Sequence, residues 1–307
     1  MKLIHSAKEL GNGSRKVCLA IGVFDGVHLG HQQIIRQTVA DAHQHAALPV
    51  VVTFDRHPNA VVAPDRVPLQ IYSGSQKLRA IAALGVEALL EITFDQPFSE
   101  KAGDRFVREL AEGFGKIHSI CVGADFVFGH RRTGNVALLE KLGGELHYQV
   151  HGLAAVALDG QTVSSTRIRD LIRTGNLDAA SQMLGRPYSI CGRVVAGDGI
   201  GRQLGFPTAN LETGNLILPP NGVYSAAANL EGRFFRAALN IGVRPTISSS
   251  PPKLRVEAHL VDFTGNLYGE ELELEIGAKL RDEIRFSSPS ELRERIKQDV
   301  AAVRGME

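Results

Sequence analysis

The chain has 307 residues, 44% hydrophobic and 22% charged, enough for two domains that each bury a core. A formal net charge of +1 leaves no electrostatic footprint for nucleic acid or an anionic membrane surface. No apolar run nears the ~18 residues that span a bilayer, and Met1 to His5 lacks the apolar stretch of a signal peptide. Cys18, Cys121 and Cys191 are few and far apart, so they read as buried thiols of a reducing compartment. A cytoplasmic protein with no membrane or nucleic-acid partner is expected.

Val17 to Val23 reads as a buried strand, and Gln32 to Ala46 places Ile34, Ile35, Val39 and Ala42 on one helical face. Between them lies Gly22-Val23-Phe24-Asp25-Gly26-Val27-His28-Leu29-Gly30-His31. Strand, glycine-bearing turn and helix start together form an anion site, where backbone N–H groups and the positive end of the helix dipole converge. His28 and His31 are placed to face one oxyanion, with Gly30 leaving room for close approach. That pattern suits charge stabilisation on a phosphoryl group; two histidines at a helix start also read as a polar cap. A zinc pair is disfavoured because neither Cys-x-x-Cys nor His-Glu-x-x-His occurs. The residues resemble the His-x-Gly-His signature of the nucleotidyltransferase superfamily.

Leu48 to Phe54 is a second expected strand, leading to His57, a turn residue or a phosphate or ribose contact. Ser73 and Gln76 form a capping box for a helix reaching Gly85. A strand over Val86–Thr93, a helix over Lys101–Phe114 and a strand over Ile117–Val122 follow, and this alternation argues a mostly parallel, doubly wound sheet. Asp125, Phe126 and Phe128 follow the last strand; the two rings are core residues or the wall of a flat aromatic ligand. Arg131 and Arg132 read as a solvated face or a phosphate clamp. A strand pair is expected over Glu145–Val150 and Leu153–Leu158. Ser164, Ser165 and Thr166 then open a helix carrying Arg169, an N-cap or a second anion cradle. After a short helix from Asn176 to Leu184, Gly185-Arg186-Pro187 suits a domain boundary.

From Tyr188 the texture changes to short β-branched and aromatic runs: Ile190–Val195, Val223–Ala228, Phe234–Ile241, Leu254–Val261 and Leu272–Ile276. A barrel or sandwich is expected. It ends in a helix capped by Ser288, Pro289 and Glu291, with a stripe of Leu292, Ile296, Val300 and Val303. Gly197 to Arg202, including Gly201, is a glycine-rich loop suited to phosphate. Thr208 and Asn210 share one face of an extended segment and are hard ligands for Mg²⁺, or else a local turn. Glu257 alternates with Val256 and Ala258; facing solvent it is inert, and in a barrel mouth it accepts a proton from a substrate hydroxyl.

With these residues in place, the chain closely resembles the prokaryotic bifunctional riboflavin kinase/FAD synthetase family along nearly its whole length. The first half resembles it through Gly22 to His31, His57-Pro58, Val122 to Arg132 and Ser164 to Arg169. The second half does so through Gly205 to Asn210, Asn221 to Tyr224, Asn240 to Thr246, Val256 to Phe263, Leu267 to Gly269, and Leu280-Arg281. The resemblance implies a Rossmann-like α/β FMN adenylyltransferase domain over 1–186. It implies an all-β riboflavin kinase domain over 187–307, a six-stranded barrel with a C-terminal helix. It further implies phosphorylation of riboflavin by ATP to FMN, then adenylylation of FMN to FAD and pyrophosphate. Glu257 is the implied base and His28 and His31 the charge stabilisers. Gly22, Phe24, Gly30, Ser164, Ser165, Thr166, Arg169, Gly201, Thr208 and Asn210 are implied on nucleotide and phosphates, the last two also on Mg²⁺. His57, Asp125, Phe126, Phe128 and Arg281 are implied on flavin. The partners are riboflavin, FMN and ATP, the expected state a monomer or weak homo-oligomer. Departures fall at Arg56, Asp125, Ala196 and Ile200.

Overall fold

The computed structural model describes residues 1–10, 15–230, 232–243 and 254–306. The chain divides into two compact units, Met1–Pro68 with Gly74–Ser165, and Leu69–Ser73 with Thr166–Glu307.

The first unit is built on six strands: β1 (Lys2–Ile4), β2 (Val17–Ile21), β3 (Leu48–Phe54), β4 (Ala88–Ile92), β5 (Ile117–Gly123) and β6 (Gln149–Leu153). All pairings are parallel, in the order β1-β4-β3-β2-β5-β6. Every residue of β2 is buried, as a strand covered on both faces must be. Leu19, Ile21, Val50 and Val52 pack with Phe106, Val107, Leu110, Leu139 and Leu142 of helices Gly103–Phe114 and Val136–Leu146. Ala20, Val51 and Leu89 pack on the other side with Ile35 of helix Leu29–Gln44 and Ile81 of helix Gly74–Ala82. The chain winds from β2 to β3 and β4 in one direction, then returns to β5 and β6 in the other. The switch point therefore lies between β2 and β5, where open α/β sheets present their ligand crevice.

The expected strand pair over Glu145–Val150 and Leu153–Leu158 is corrected. Glu145 belongs to helix Val136–Leu146 and β6 takes Gln149–Leu153, while Leu158 lies in a two-residue hairpin arm, β7 (Ala157–Leu158), paired with β8 (Gln161–Thr162). Asn135 caps the overlooked helix, its side chain accepting from Leu138 N at 2.9 Å.

The second unit closes β9 (Ser189–Val195), β10 (Ala209–Glu212), β11 (Gly222–Leu230), β12 (Arg233–Val243), β13 (Leu254–Leu260) and β14 (Glu271–Arg281) into an antiparallel barrel, ordered β10-β13-β12-β11-β14-β9. Alternate residues are buried: Ala237, Leu239 and Ile241 on β12, Val256, Ala258 and Leu260 on β13, Leu272, Leu274 and Ile276 on β14. Helix Pro289–Arg304 starts at Ser288, whose side chain accepts from Glu291 N at 3.2 Å, while the Glu291 carboxylate takes Ser287 N at 2.9 Å. Its Val300 and Val303 pack against Val261, Phe206, Ala238 and Leu280 of the barrel unit.

Leu69–Ser73 is a strap from the first quarter of the sequence. Gln70 N donates to Asn215 O (2.8 Å) and Ile217 N to Gln70 O (2.7 Å). Ile71 is fully buried, and Tyr72 takes a 2.9 Å hydrogen bond from Arg186 Nε.

Candidate active sites

In the first unit, the turn after β2 is tight. Phe24 is fully buried in a left-handed conformation (φ 53°), and Gly26 follows at φ 76°, where a glycine carries no steric penalty. Its ring lies against Gly22: a Cβ there would fall 3.0 Å from Phe24 Cζ. This turn delivers His28 as the N-cap of helix Leu29–Gln44, its Nδ1 accepting from His31 N at 3.4 Å. The rings of His28 and His31 stack at 3.6 Å with 18° between planes, beside Gly30. An Nδ1 that accepts leaves Nε2 to carry the ring proton. Ser165 Oγ, at the end of the first unit, donates to Asp25 O (3.1 Å) in this turn. Thr166 and Arg169 fall in the second unit, where Arg169 is buried with Nε on Leu69 O at 2.6 Å.

Thr53 Oγ1 donates to Val23 O at 3.2 Å and Lys77 Nζ to Phe54 O at 2.9 Å, bracing the exits of β2 and β3. Burial pushes the Lys77 ammonium below its ordinary value, partly offset by Glu91, Asp25 and Asp55. His57 accepts from Asn59 N at 3.1 Å through Nδ1. Beyond β5, Asp125 is exposed, while Phe126 and Phe128 stack at 5.2 Å. Phe128 is claimed by the fold: it exchanges two backbone hydrogen bonds with Gly134 (3.0 and 2.8 Å) and meets Phe106 edge-on at 6.0 Å.

In the second unit, Thr208, Asn210, Glu257 and Arg281 line one cavity of about 410 Å³, together with Gly201, Phe206, Ile284, Phe286, Leu292 and Ile296. Asn210 is in register with Glu257, and Glu257 with Asn240 across the next strand, so amide, carboxylate and amide stand in one row. The row is on the outer wall of the barrel, because neighbouring Val256, Ala258, Leu239 and Ile241 fill the interior. Glu257 thus faces a cavity roofed by the glycine loop and the C-terminal helix, not the barrel mouth. Gly201 lets the loop close down, since a Cβ there would fall 2.4 Å from Phe206 O and 3.1 Å from Thr208 Oγ1. Thr208 also borders a second cavity of about 360 Å³ with Arg202, Phe263, Asn266 and Tyr268. Arg281 is engaged by Asp299 of the C-terminal helix, through Nη2 (2.7 Å) and Nε (3.0 Å).

The sequence reading gave no role of their own to Asn240, Arg255 and Asp198, which also line this cavity. The available signal was Asn240 as a polar residue between Leu239 and Ile241, the alternation that marks the outward face.

The fold has two modules: a doubly wound α/β unit with a histidine pair at a helix start near its switch point, and a closed barrel with a carboxylate between two amides on its outer wall. The FAD synthetase family model matches residues 12–167, and the riboflavin kinase family model matches residues 184–306. Bifunctional riboflavin kinase/FMN adenylyltransferases from Haemophilus influenzae and Escherichia coli K12 are each 34% identical, over 98% and 99% of this chain and 97% of each relative. That of Pseudomonas fluorescens is 36% identical over 100% of this chain and 98% of its own. A crystal structure from Streptococcus pneumoniae, described as a macrolide-efflux protein, superposes with a TM-score of 0.82 at 28% identity, covering 99% of both chains. No helix among the described residues of the present chain is long and apolar enough to cross a membrane. The chain belongs to the bifunctional riboflavin kinase/FMN adenylyltransferase family. It is an ATP-using transferase with both activities, phosphorylating riboflavin to FMN and adenylylating FMN to FAD.

Proposed function

We propose that the two activities are divided at Arg186-Pro187, with adenylyl transfer over 1–186 and riboflavin phosphorylation over 187–307. The two family models, which end at 167 and begin at 184, support this division. The observation that carries the kinase assignment is the Asn210–Glu257–Asn240 row facing a cavity of about 410 Å³. Riboflavin lies in that cavity against Phe286, Ile284, Leu292 and Arg281. ATP occupies the second cavity, and its γ-phosphate reaches Thr208, the residue common to both. Glu257 takes the proton of the flavin 5′-hydroxyl as its oxygen bonds to the γ-phosphorus, and the bond to ADP breaks. The hydroxyl of Thr208 and amide oxygen of Asn210, opposite a carboxylate, form a hard donor set that fits Mg²⁺. When bound, the ion neutralises charge developing on the phosphates.

In the adenylyl step an FMN phosphate oxygen attacks the α-phosphorus of ATP and pyrophosphate leaves. His28 and His31 donate to the oxygens gaining charge, as helix-start groups do without reorganising. The turn of Gly22, Phe24 and Gly30 and the hydroxyl of Ser164 hold phosphates, joined by the Ser165 hydroxyl once it turns from Asp25 O. Phe126, with His57 and Asp125, meets the flavin, while Phe128 supports it from behind. The protein acts in the cytoplasm on small molecules alone, as a monomer or weak homo-oligomer.

Incubation with riboflavin, ATP and Mg²⁺, followed by chromatography of the flavins, tests this directly. FMN should appear first and FAD next, and a chelator should stop FMN formation. FAD from added FMN without any FMN from riboflavin would remove the kinase assignment.

A further inference from the structure

Arg255 sits two residues before Glu257 on the same outward face of β13, and no step above uses it. Its Nη2 pairs with Asp198 Oδ2 at 2.8 Å, and its Nη1 reaches Glu257 Oε1 at 3.3 Å. Asp198 belongs to the glycine-rich loop, between Gly197 and Gly199. One guanidinium therefore joins the loop that roofs the cavity to the carboxylate proposed as base. The other guanidinium among the described residues of the cavity, Arg281, is already held by Asp299. Across the strand from Arg255 is Gly242, against which the Glu283 carboxylate packs, 2.3 Å from where a Cβ would stand. Among the described residues, Arg255 is thus the cation at an edge carrying Asp198, Glu257 and Glu283.

As a stabilising pair this is a weak device. The side chains of Arg255 and Asp198 are 31% and 36% exposed, and partly exposed ion pairs contribute little to stability. What a planar, forked guanidinium supplies is geometry, because it fixes two carboxylates relative to each other.

We propose that Arg255 is a positioning residue of riboflavin phosphorylation, setting the closed placement of the Gly197–Arg202 loop and the orientation of Glu257 through one guanidinium. The proposal rests on the kinase reading above. Asp198 is the loop's handle. Phosphate arriving beside the loop competes with Asp198 for the guanidinium, so nucleotide binding is coupled to the placement of the base.

The test is a double-mutant cycle on riboflavin phosphorylation in the full-length protein, with FMN adenylylation and thermal unfolding measured on the same preparations. Arg255→Ala should lower kcat/KM roughly ten- to a hundredfold, the scale of a misplaced reacting group, through both KM for ATP and kcat. Asp198→Asn should act mainly on KM for ATP. The double variant should lose little more than Arg255→Ala alone, because both substitutions break one linkage. Arg255→Lys should recover only part, keeping charge without the fork. Adenylylation and the unfolding midpoint should stay as in the parent protein. If the two single losses multiply in the double variant, or if Arg255→Ala is silent while Glu257→Gln is crippled, Arg255 has no such role. A silent Glu257→Gln overturns the assignment of Glu257 as the base, the part of the kinase reading on which the proposal rests.

Discussion

A Cβ on Gly197 would fall 2.3 Å from Nδ2 of Asn210, so this glycine and this amide are in a contact that tolerates nothing larger than hydrogen. Asn210 in turn faces Glu257 across the strand pair. Gly197→Ala should push the amide out of its row and lower riboflavin phosphorylation by about a hundredfold, leaving conversion of added FMN to FAD unchanged. Separate assays with riboflavin and with FMN read the two outcomes; equal loss of both would point to general misfolding.

Glu257→Gln keeps the shape and hydrogen bonding of the side chain and removes the base. A positioned base is worth roughly 10²–10⁴-fold, with the lower end expected for a loose phosphoryl-transfer transition state. Phosphorylation should fall at least about tenfold, with nucleotide affinity, measured by calorimetry, retained. Parent-like turnover would leave Glu257 as a strand residue only.

The stacked pair of His28 and His31 makes a different prediction for the other activity. Changing both to Ala should cut FAD formation by a hundredfold or more, about 3 kcal/mol for the first donor lost, so that FMN accumulates when riboflavin is supplied. A double variant that still makes FAD at the parent rate places the adenylyl site elsewhere.

Ile71 lies early in the sequence yet is fully buried in the unit that contains the barrel. Ile71→Ala removes a core side chain, a change that costs about 2–5 kcal/mol. The thermal inactivation midpoint of riboflavin phosphorylation should drop by several degrees, and by more than that of FMN adenylylation. Equal drops would show that the strap is not specific to the second unit.

His118 supplies a pH dependence. Burial, then the adjacent His45 ring at 3.9 Å and Lys16, hold its imidazole below the ordinary 6.5; among the described residues its Nε2 has no hydrogen-bond partner. The unfolded chain therefore takes up a proton there at a pH where the folded one does not, so stability is full above about 6.5 and declines as pH falls below it. His118→Phe keeps the ring contact without the proton. Its melting temperature should fall less between pH 7.5 and pH 5.5 than that of the parent, and parallel curves would exclude His118 as a contributor.

The parts legible in the sequence are those set by local pattern. The apolar runs at Val17, Leu48 and Ile117 became β2, β3 and β5, because a strand buried on both faces must be continuously apolar. The His28 cap and the Ser288 cap carry their own signals. Helix Val136–Leu146 escaped; its Gly143 is set by a tertiary contact, where the chain passes Tyr148, whose carbonyl would lie 2.6 Å from a Cβ. The outward placement of Glu257 follows from barrel closure, and the Arg255–Asp198 pair joins loop to strand across 57 positions of sequence (255 − 198). Neither has a local signature. The same holds for the pairing of Gln70 with Leu216.

That last pairing bears on how the chain is made. Gln70 leaves the ribosome 146 residues ahead of Leu216 (216 − 70), a wait of roughly 7–30 s at ordinary elongation rates of about 5–20 residues per second. During that interval the α/β half can assemble on the nascent chain while Ile71 and Tyr72 remain solvated, apolar and unsheltered. Translation speed between these positions, and any chaperone that shields a short apolar peptide, thereby become determinants of the yield of the kinase, an enzyme whose own strands are all synthesised later.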